Sequence, residues 1–425
     1  MNHTTANLNI EEPVEEKGTR MDASSKVSFW FLFKTFIGIG CISFGGFMSL
    51  ISVIETRIVK QRQLLEHREM LDAISLANLL PGPQAVNVVA YVGYRLRGPL
   101  GAVISAVAVL IPAFVLILAL SYFYFKYGEI VSIKKIFMGF IPAVTAIVMV
   151  VVLRLAKKTV KGWREAALVL LSCAIMLLAP LQYKIYATLG IVLSFGLLGY
   201  WAFKKQETGT TREIEQRPFS LVKLLSVVIF LVALVILWFM PLQLEHNSLL
   251  LLTLTFASMS LMLFGGGYVF IPIIGSVVVL QYGWVTQQEF TDGIAMGQIT
   301  PGPILISAAF IGFKSHGWLG ALLATIAIYT PPAVLMVTAS QALSYIQRST
   351  MMQSAMHGIH CGVIGLITIA SFILLQAAYP AWPFSISEAW PSTLILAASL
   401  YALFRYNLDI LWVILAAGLL GYLLY

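Results

Sequence analysis

The chain has 425 residues, 59% hydrophobic and 11% charged, with a mean hydropathy of +0.88. Soluble domains carry roughly 25% charged residues, so this composition excludes an ordinary soluble protein and points to membrane-crossing helices of about 20 apolar residues each. The net charge of +8 comes from Lys and Arg gathered between apolar runs, as in cytoplasmic loops, and no aromatic-plus-basic motif for nucleic acid accompanies it.

The predicted class is an all-α polytopic membrane protein, since lipid-facing backbone must satisfy its own hydrogen bonds and barrel-like alternation is missing. Residues 1–27, acidic through Glu11, Glu12, Glu15 and Glu16, read as a disordered cytoplasmic tail. A first transmembrane unit covers 28–203. Its first apolar run, Phe29 to Ile54, contains Phe44-Gly45-Gly46, where two glycines weaken a helix and admit close approach of backbone or ligand. Close helix packing is the competing explanation. A polar segment from Glu55 to Arg68 leads through Glu69 and Asp72 into Asn78-Leu79-Leu80-Pro81-Gly82-Pro83-Gln84, with Asn87 beyond. Pro and Gly stop one helix there, and Pro83 fits the first turn of the next. This helix, break, helix element is expected to cross the bilayer once. Further spans follow near 99–125, 135–153, 165–180 and 185–203. A polar linker, 204–220, joins this unit to the second, 221–425, which starts with an extra span near 221–241. Single crossings throughout give about thirteen spanning helices.

The second unit repeats the first. Phe44-Gly45-Gly46 recurs as Phe264-Gly265-Gly266, Glu69 and Asp72 as Glu289 and Asp292, and Pro81 as Pro301, each 220 positions later. Gly98, Gly101, Pro112 and Gly139 recur 219 positions later as Gly317, Gly320, Pro331 and Gly358. So many landmarks in one order mark a duplicated unit. With an odd number of preceding spans the second copy is inverted, and the charge bias then makes tail and linker cytoplasmic.

Inverted repeats with one broken helix each are a transporter plan, with substrate held near the midplane. The N–H groups freed after Pro83 and Pro303 carry partial positive charge, so the natural guest is an anion. Candidate binding residues are Gly45, Gly46, Asn78, Pro81, Gly82, Pro83, Gln84 and Asn87 in the first copy. In the second they are Gly265, Gly266, Gly267, Tyr268, Gln298, Thr300, Pro301, Gly302 and Pro303, with Ser307 nearby. Amides and hydroxyls supply donors without the desolvation cost of Lys or Arg, although helix-to-helix hydrogen bonding is a competing role for each. Asp72 and Asp292 are candidates for proton coupling, with helix-start electrostatics as the alternative. Thr286-Gln287-Gln288-Glu289 reads as a capping box. His357 and His360 lie three apart without a further evident ligand, and Cys41, Cys173 and Cys361 are isolated in apolar runs, so neither metal nor cofactor is expected. No nucleophile or metalloenzyme motif is present, and the chain is not expected to be an enzyme.

These strings, together with Tyr91-Val92-Gly93-Tyr94-Arg95, Phe264-Gly265-Gly266-Gly267-Tyr268 and Asp292-Gly293-Ile294-Ala295, resemble the chromate ion transporter family in its long two-domain form. The resemblance implies a bacterial inner-membrane protein that exports chromate on the proton motive force and confers chromate resistance, with sulfate as a competing analogue. Its partners would be chromate or sulfate and the lipid bilayer. A homodimer is compatible with the sequence, which fixes no oligomeric state. Gln84 stands where first copies in the family often have Asn, which bears on anion preference.

Overall fold

The computed structural model describes residues 27–44, 47–128, 130–180, 183–203, 248–264, 267–342, 350–379 and 386–425, and the single helical residues Leu225, Ile229, Ala233 and Ile236. The tail up to residue 26, Gly45, Gly46, the linker 204–220, most of the extra span 221–241, Gly265 and Gly266 lie outside them. Among the described residues every regular element is helical.

The first half begins with α1 (Phe29–Ile42), capped by Ser28, and α2 (Phe47–Ile54), which runs on as a π-helical turn at Glu55–Gln61. Next comes α3 (His67–Leu79), where the Glu66 backbone N–H donates to Glu69 Oε2 at 3.2 Å. Helix resumes at Gln84 and runs to Tyr127 but is interrupted at Arg97 and Gly98, giving α4 (84–96) and α5 (99–127). Gly98 has φ +69°, a conformation that favours glycine, and the chain folds back there. A methyl group on Gly93 would collide with the Gly101 carbonyl, although eight residues of continuous helix would hold them about 12 Å apart. The half ends with α6 (Val131–Thr159), α7 (Trp163–Leu178) and α8 (Lys184–Phe203).

The second half follows the same order with the same interruptions. It contains α9 (Leu249–Ser260), then α10 (Phe270–Gly275), which runs into a π-helical turn at Ser276–Gln281, then α11 (Gln287–Ile299). The predicted capping box is formed: the Thr286 N–H donates to Glu289 Oε2 at 2.8 Å, and the Glu289 N–H donates to Thr286 Oγ1 at 3.1 Å. After the second Pro-Gly-Pro, a 3-10 turn opens α12 (304–315). The break at His316 and Gly317 (φ +61°) separates it from α13 (318–339), and α14 (Thr350–Ala378), α15 (Ile386–Arg405) and α16 (Ile410–Leu424) complete the chain.

Ion pairs decide how the Pro-Gly-Pro elements are folded. Glu69 at the start of α3 pairs with Arg95 at the end of α4. Glu289 at the start of α11 pairs with Lys314 at the end of α12, at 2.8 Å. Between these ends Gly293 faces Phe310 and Gly297 faces Ser307. Collinear half-helices would set each pair of ends about 40 Å apart. Each element is therefore a helical hairpin with Pro-Gly-Pro at its tip, which corrects the expected single crossing. The reversal comes from Gly82 and Gly302, whose φ values of +104° and +135° turn the chain back. The first apolar run is corrected in the same way. The Arg57 guanidinium lies over Gly38 and Arg62 stacks on Phe31 at 4.5 Å, so α2 and its π-turn return along α1. Phe256 stacks on Trp284 at 6.4 Å, which closes the corresponding hairpin of α9 and α10. The described helices thus form four hairpins and eight further helices, and the expected extra span at 221–241 lies mostly outside the described residues.

Contacts also fix the direction of each helix. Tyr124 meets Phe137 at 4.8 Å, so α5 and α6 turn at one end of the bundle, here termed the far end. At the near end Arg97 Nη1 donates to the Val27 carbonyl at 2.9 Å. Arg154 Nη2 donates there to Leu403 O at 3.1 Å, and Ser354 Oγ to Phe203 O at 3.3 Å. Phe313 and Trp318, by contrast, stack at the far end on Phe125 (6.1 Å) and Tyr122 (6.3 Å). The α3–α4 hairpin therefore opens at the near end and the α11–α12 hairpin at the far end. The halves interlock, with Gly139 of α6 against Gly421 of α16 and Gly358 of α14 against Gly199 of α8, close approaches that side chains would block. One hydrophobic core runs through both halves.

Candidate functional site

The two hairpin tips reach the middle of the bundle from opposite ends. A methyl group on Gly82 would collide with the Pro332 ring of α13, and one on Gly302 would stand 3.3 Å from Ala113 Cβ, midway along α5. The Gly82 N–H donates to the Leu263 carbonyl at 2.7 Å, while Gly267 seats on Ile304 and Leu305. The second glycine segment thus touches both tips, and Pro81, Gly82, Pro83, Gly267, Tyr268, Pro301, Gly302 and Pro303 are brought together.

Each tip leaves backbone donors over. In α4 the first N–H bonded within the helix is that of Asn87, to Pro83 O at 3.0 Å, and Pro83 offers no side-chain cap. The N–H groups of Gln84, Ala85 and Val86 therefore have no partner inside the helix. In α12 the first bonded N–H is that of Ile306, to Pro303 O at 3.0 Å, which leaves those of Ile304 and Leu305.

Several predicted side-chain donors are used locally. Asn87, fully buried, donates from Nδ2 to Pro81 O at 3.2 Å and so closes its own tip. Thr300 Oγ1 donates to Gly297 O at 2.8 Å, and Ser307 Oγ to Ile304 O at 2.9 Å. Others remain open. Asn87 Oδ1 and Gln298 Nε2 are buried without a hydrogen bond, the latter beside the Tyr268 hydroxyl but short of full geometry. Gln84 is 8% exposed at the start of α4, and Asn78 is half-buried at the end of α3. Gly45, Gly46, Gly265 and Gly266 lie outside the described residues.

The two aspartates, equivalent in sequence, differ in their surroundings. Asp292 is 1% exposed and accepts from the Tyr124 hydroxyl at 2.7 Å, with Gln288 Nε2 at 3.4 Å. Asp72 is half-buried, and Leu343 occupies the position equivalent to Tyr124, 219 residues on. The Tyr124–Asp292 contact joins α5 of one half to α11 of the other. His357 Nε2 stands 3.4 Å from Glu165 Oε1, and among the described residues no three His, Cys, Asp or Glu side chains converge on a metal position.

Sequence reasoning missed Tyr124, the two clasps at the hairpin mouths, and Tyr329. Tyr329 is 4% exposed on α13, with an unpartnered hydroxyl. A polar atom embedded in an apolar run was the one available signal for either tyrosine. The clasps were visible as Glu69 with Arg95 and Glu289 with Lys314, but a hairpin had to be assumed to pair them.

A family model described as chromate transporter matches residues 30–200 and again 250–422. An uncharacterized transporter of Methanocaldococcus jannaschii is 26% identical over 409 residues, covering 96% of this chain and 97% of its own length. A chromate transport protein of Pseudomonas aeruginosa is 26% identical over 402 residues, 93% and 92% of the two chains. One of Cupriavidus metallidurans is 26% identical over 341 residues, 80% and 81%. No solved structure matches.

Proposed function

Since the chain belongs to the chromate transporter family, and is a multi-pass membrane transporter rather than an enzyme, we propose that it carries chromate outward across the bacterial inner membrane. The anion is held between the two Pro-Gly-Pro tips. The observation that carries this reading is the meeting of two helix N-termini, from hairpins that open at opposite ends, on one glycine segment in the bundle's middle. Both present N–H groups with no partner inside the helix and the positive ends of their dipoles, a pairing that favours an anion. Irregular backbone at such depth is tolerated when protein encloses it, and Gly82, Pro83, Pro301, Gly302 and Pro303 are all buried.

The frame is that of inverted repeats with a shared central site. Both segments matched by the family model and the opposed hairpins support it. The near end is assigned to the cytoplasm. It carries Arg62, Arg68, Arg95, Arg97, Arg154, Lys157, Lys158, Lys161, Arg164 and Arg405, against Lys126, Lys134, Lys135, Lys184 and Lys314 at the far end. Asp292 is the proton-coupling residue. Ionised, it takes the Tyr124 hydroxyl as donor, and protonated it can donate to the same oxygen, so its charge state adjusts a contact between the halves. Sulfate stands as the second substrate, because N–H groups and amides read tetrahedral geometry and charge rather than the central atom.

The test is labelled chromate uptake into inside-out vesicles that contain the protein, with and without a proton gradient and with excess sulfate. Gradient-dependent accumulation that sulfate reduces is the expected result. No accumulation of either anion would remove the reading.

A further inference from the structure

We propose that the Tyr329 hydroxyl is a donor of the substrate site, giving a hydrogen bond to one oxygen of the tetrahedral oxyanion held at the tip of α4. The inference rests on the oxyanion reading above and adds to it a side chain from a third element. Tyr329 lies three residues before Pro332, against which Gly82 is packed, so both share one face of α13. Because α13 runs from the far end to the near end, Tyr329 sits about 4.5 Å beyond the first tip, toward the far end. The N–H groups of Gln84, Ala85 and Val86 point the same way, since α4 runs from its tip to the near end. Tyr329 is 4% exposed, and its hydroxyl is buried with no hydrogen-bond partner among the described residues.

Packing does not account for this hydroxyl. A buried polar group left unpaired destabilises the fold. The fold needs no hydroxyl there either, because Leu110 occupies the equivalent position 219 residues earlier in α5. Gln298 Nε2 is a second unpaired donor in the same part of the molecule, on the other tip. A ligand rich in acceptor oxygens satisfies both donors and the backbone N–H groups. Asn87 Oδ1, the unpaired acceptor, is left for a water or for the hydroxyl of a singly protonated oxyanion.

The experiment uses full-length wild type and Tyr329→Phe in proteoliposomes, with initial rates of labelled chromate uptake against concentration and apparent melting temperatures of both proteins. The variant is expected to raise KM by about tenfold, the loss of one hydrogen bond to a charged ligand, with its melting temperature equal or higher. An unchanged KM in a variant that transports would overturn the inference and leave the oxyanion reading intact. A lowered melting temperature with lost transport would also overturn it, by making the hydroxyl structural. Wild type that carries neither chromate nor sulfate would remove the oxyanion reading, and this inference with it.

Discussion

Replacing Gly82 by Ala tests whether the first hairpin tip really docks on the opposite half. Gly82 has φ +104°, which costs an L residue about 1–3 kcal/mol. Its new methyl group would also overlap the Pro332 ring, for which overpacking adds about 1–3 kcal/mol. Removing the side chain in a Gly82→Ala, Pro332→Gly double variant removes only the second cost, since the overlap is with both Cβ and Cγ of Pro332. The double variant should therefore be more stable than the sum of the single effects by about 1–3 kcal/mol. Gly98→Ala is the control, since Gly98 also has positive φ but no atom near its missing side chain, and it should show no coupling to Pro332. Unfolding of the purified variants in mixed micelles supplies the free energies, and chromate uptake should recover in parallel. Additivity within about 0.5 kcal/mol would mean that Gly82 and Pro332 are not in contact, and the central site would have to be redrawn.

Asp292→Asn should abolish gradient-driven accumulation while chromate–chromate exchange persists. Asp72→Asn should keep driven transport within about twofold of wild type, and its loss would restore a paired role for the two aspartates. Reversing Glu69 to Arg should lower the apparent melting temperature, and adding Arg95→Glu should recover it; absence of recovery would argue against adjacent hairpin arms. A cysteine at Gln63, exposed between α2 and α3, should be labelled from the same membrane face as one at Lys161. Labelling from opposite faces would restore the single crossing.

Class, repeat order and most helix positions were legible because apolar runs, glycines and prolines are local signals. The spans expected near 99–125, 135–153 and 353–378 correspond to α5, α6 and α14. The hairpins were not legible. A Pro-Gly-Pro announces that a helix stops, whereas the angle of the next one depends on positive φ at Gly82 and on contacts with Leu263 and Pro332, far away in sequence. Two expected crossings before Arg97 became none, so the residues that follow keep their side, and the proposed cytoplasmic assignment of the near end does not change. Of the site, the backbone and both tips were readable from the duplicated motif. Tyr124 and Tyr329 were not, because each approaches the candidate site only through the way one half packs on the other.

Duplication supplies the backbone of the site twice, but the side chains have diverged, and the divergence is directional. In the aligned sequences Gln298 stands where the first copy has Asn78, Tyr329 where it has Leu110, and Leu343 where it has Tyr124. The second hairpin and its neighbours hold the buried carboxylate with its hydroxyl donor, together with the unpaired Gln298 amide and Tyr329 hydroxyl. Asp292 sits one turn inside the mouth of the far-end hairpin, which on the proposed proton-coupling role makes the far side its nearer face. On the proposed orientation, with the near end cytoplasmic, that is the side from which a proton motive force would drive protons inward. Coupling of this kind needs the two halves to be unequal, and in a strictly symmetric pair the proton would have no preferred face from which to act.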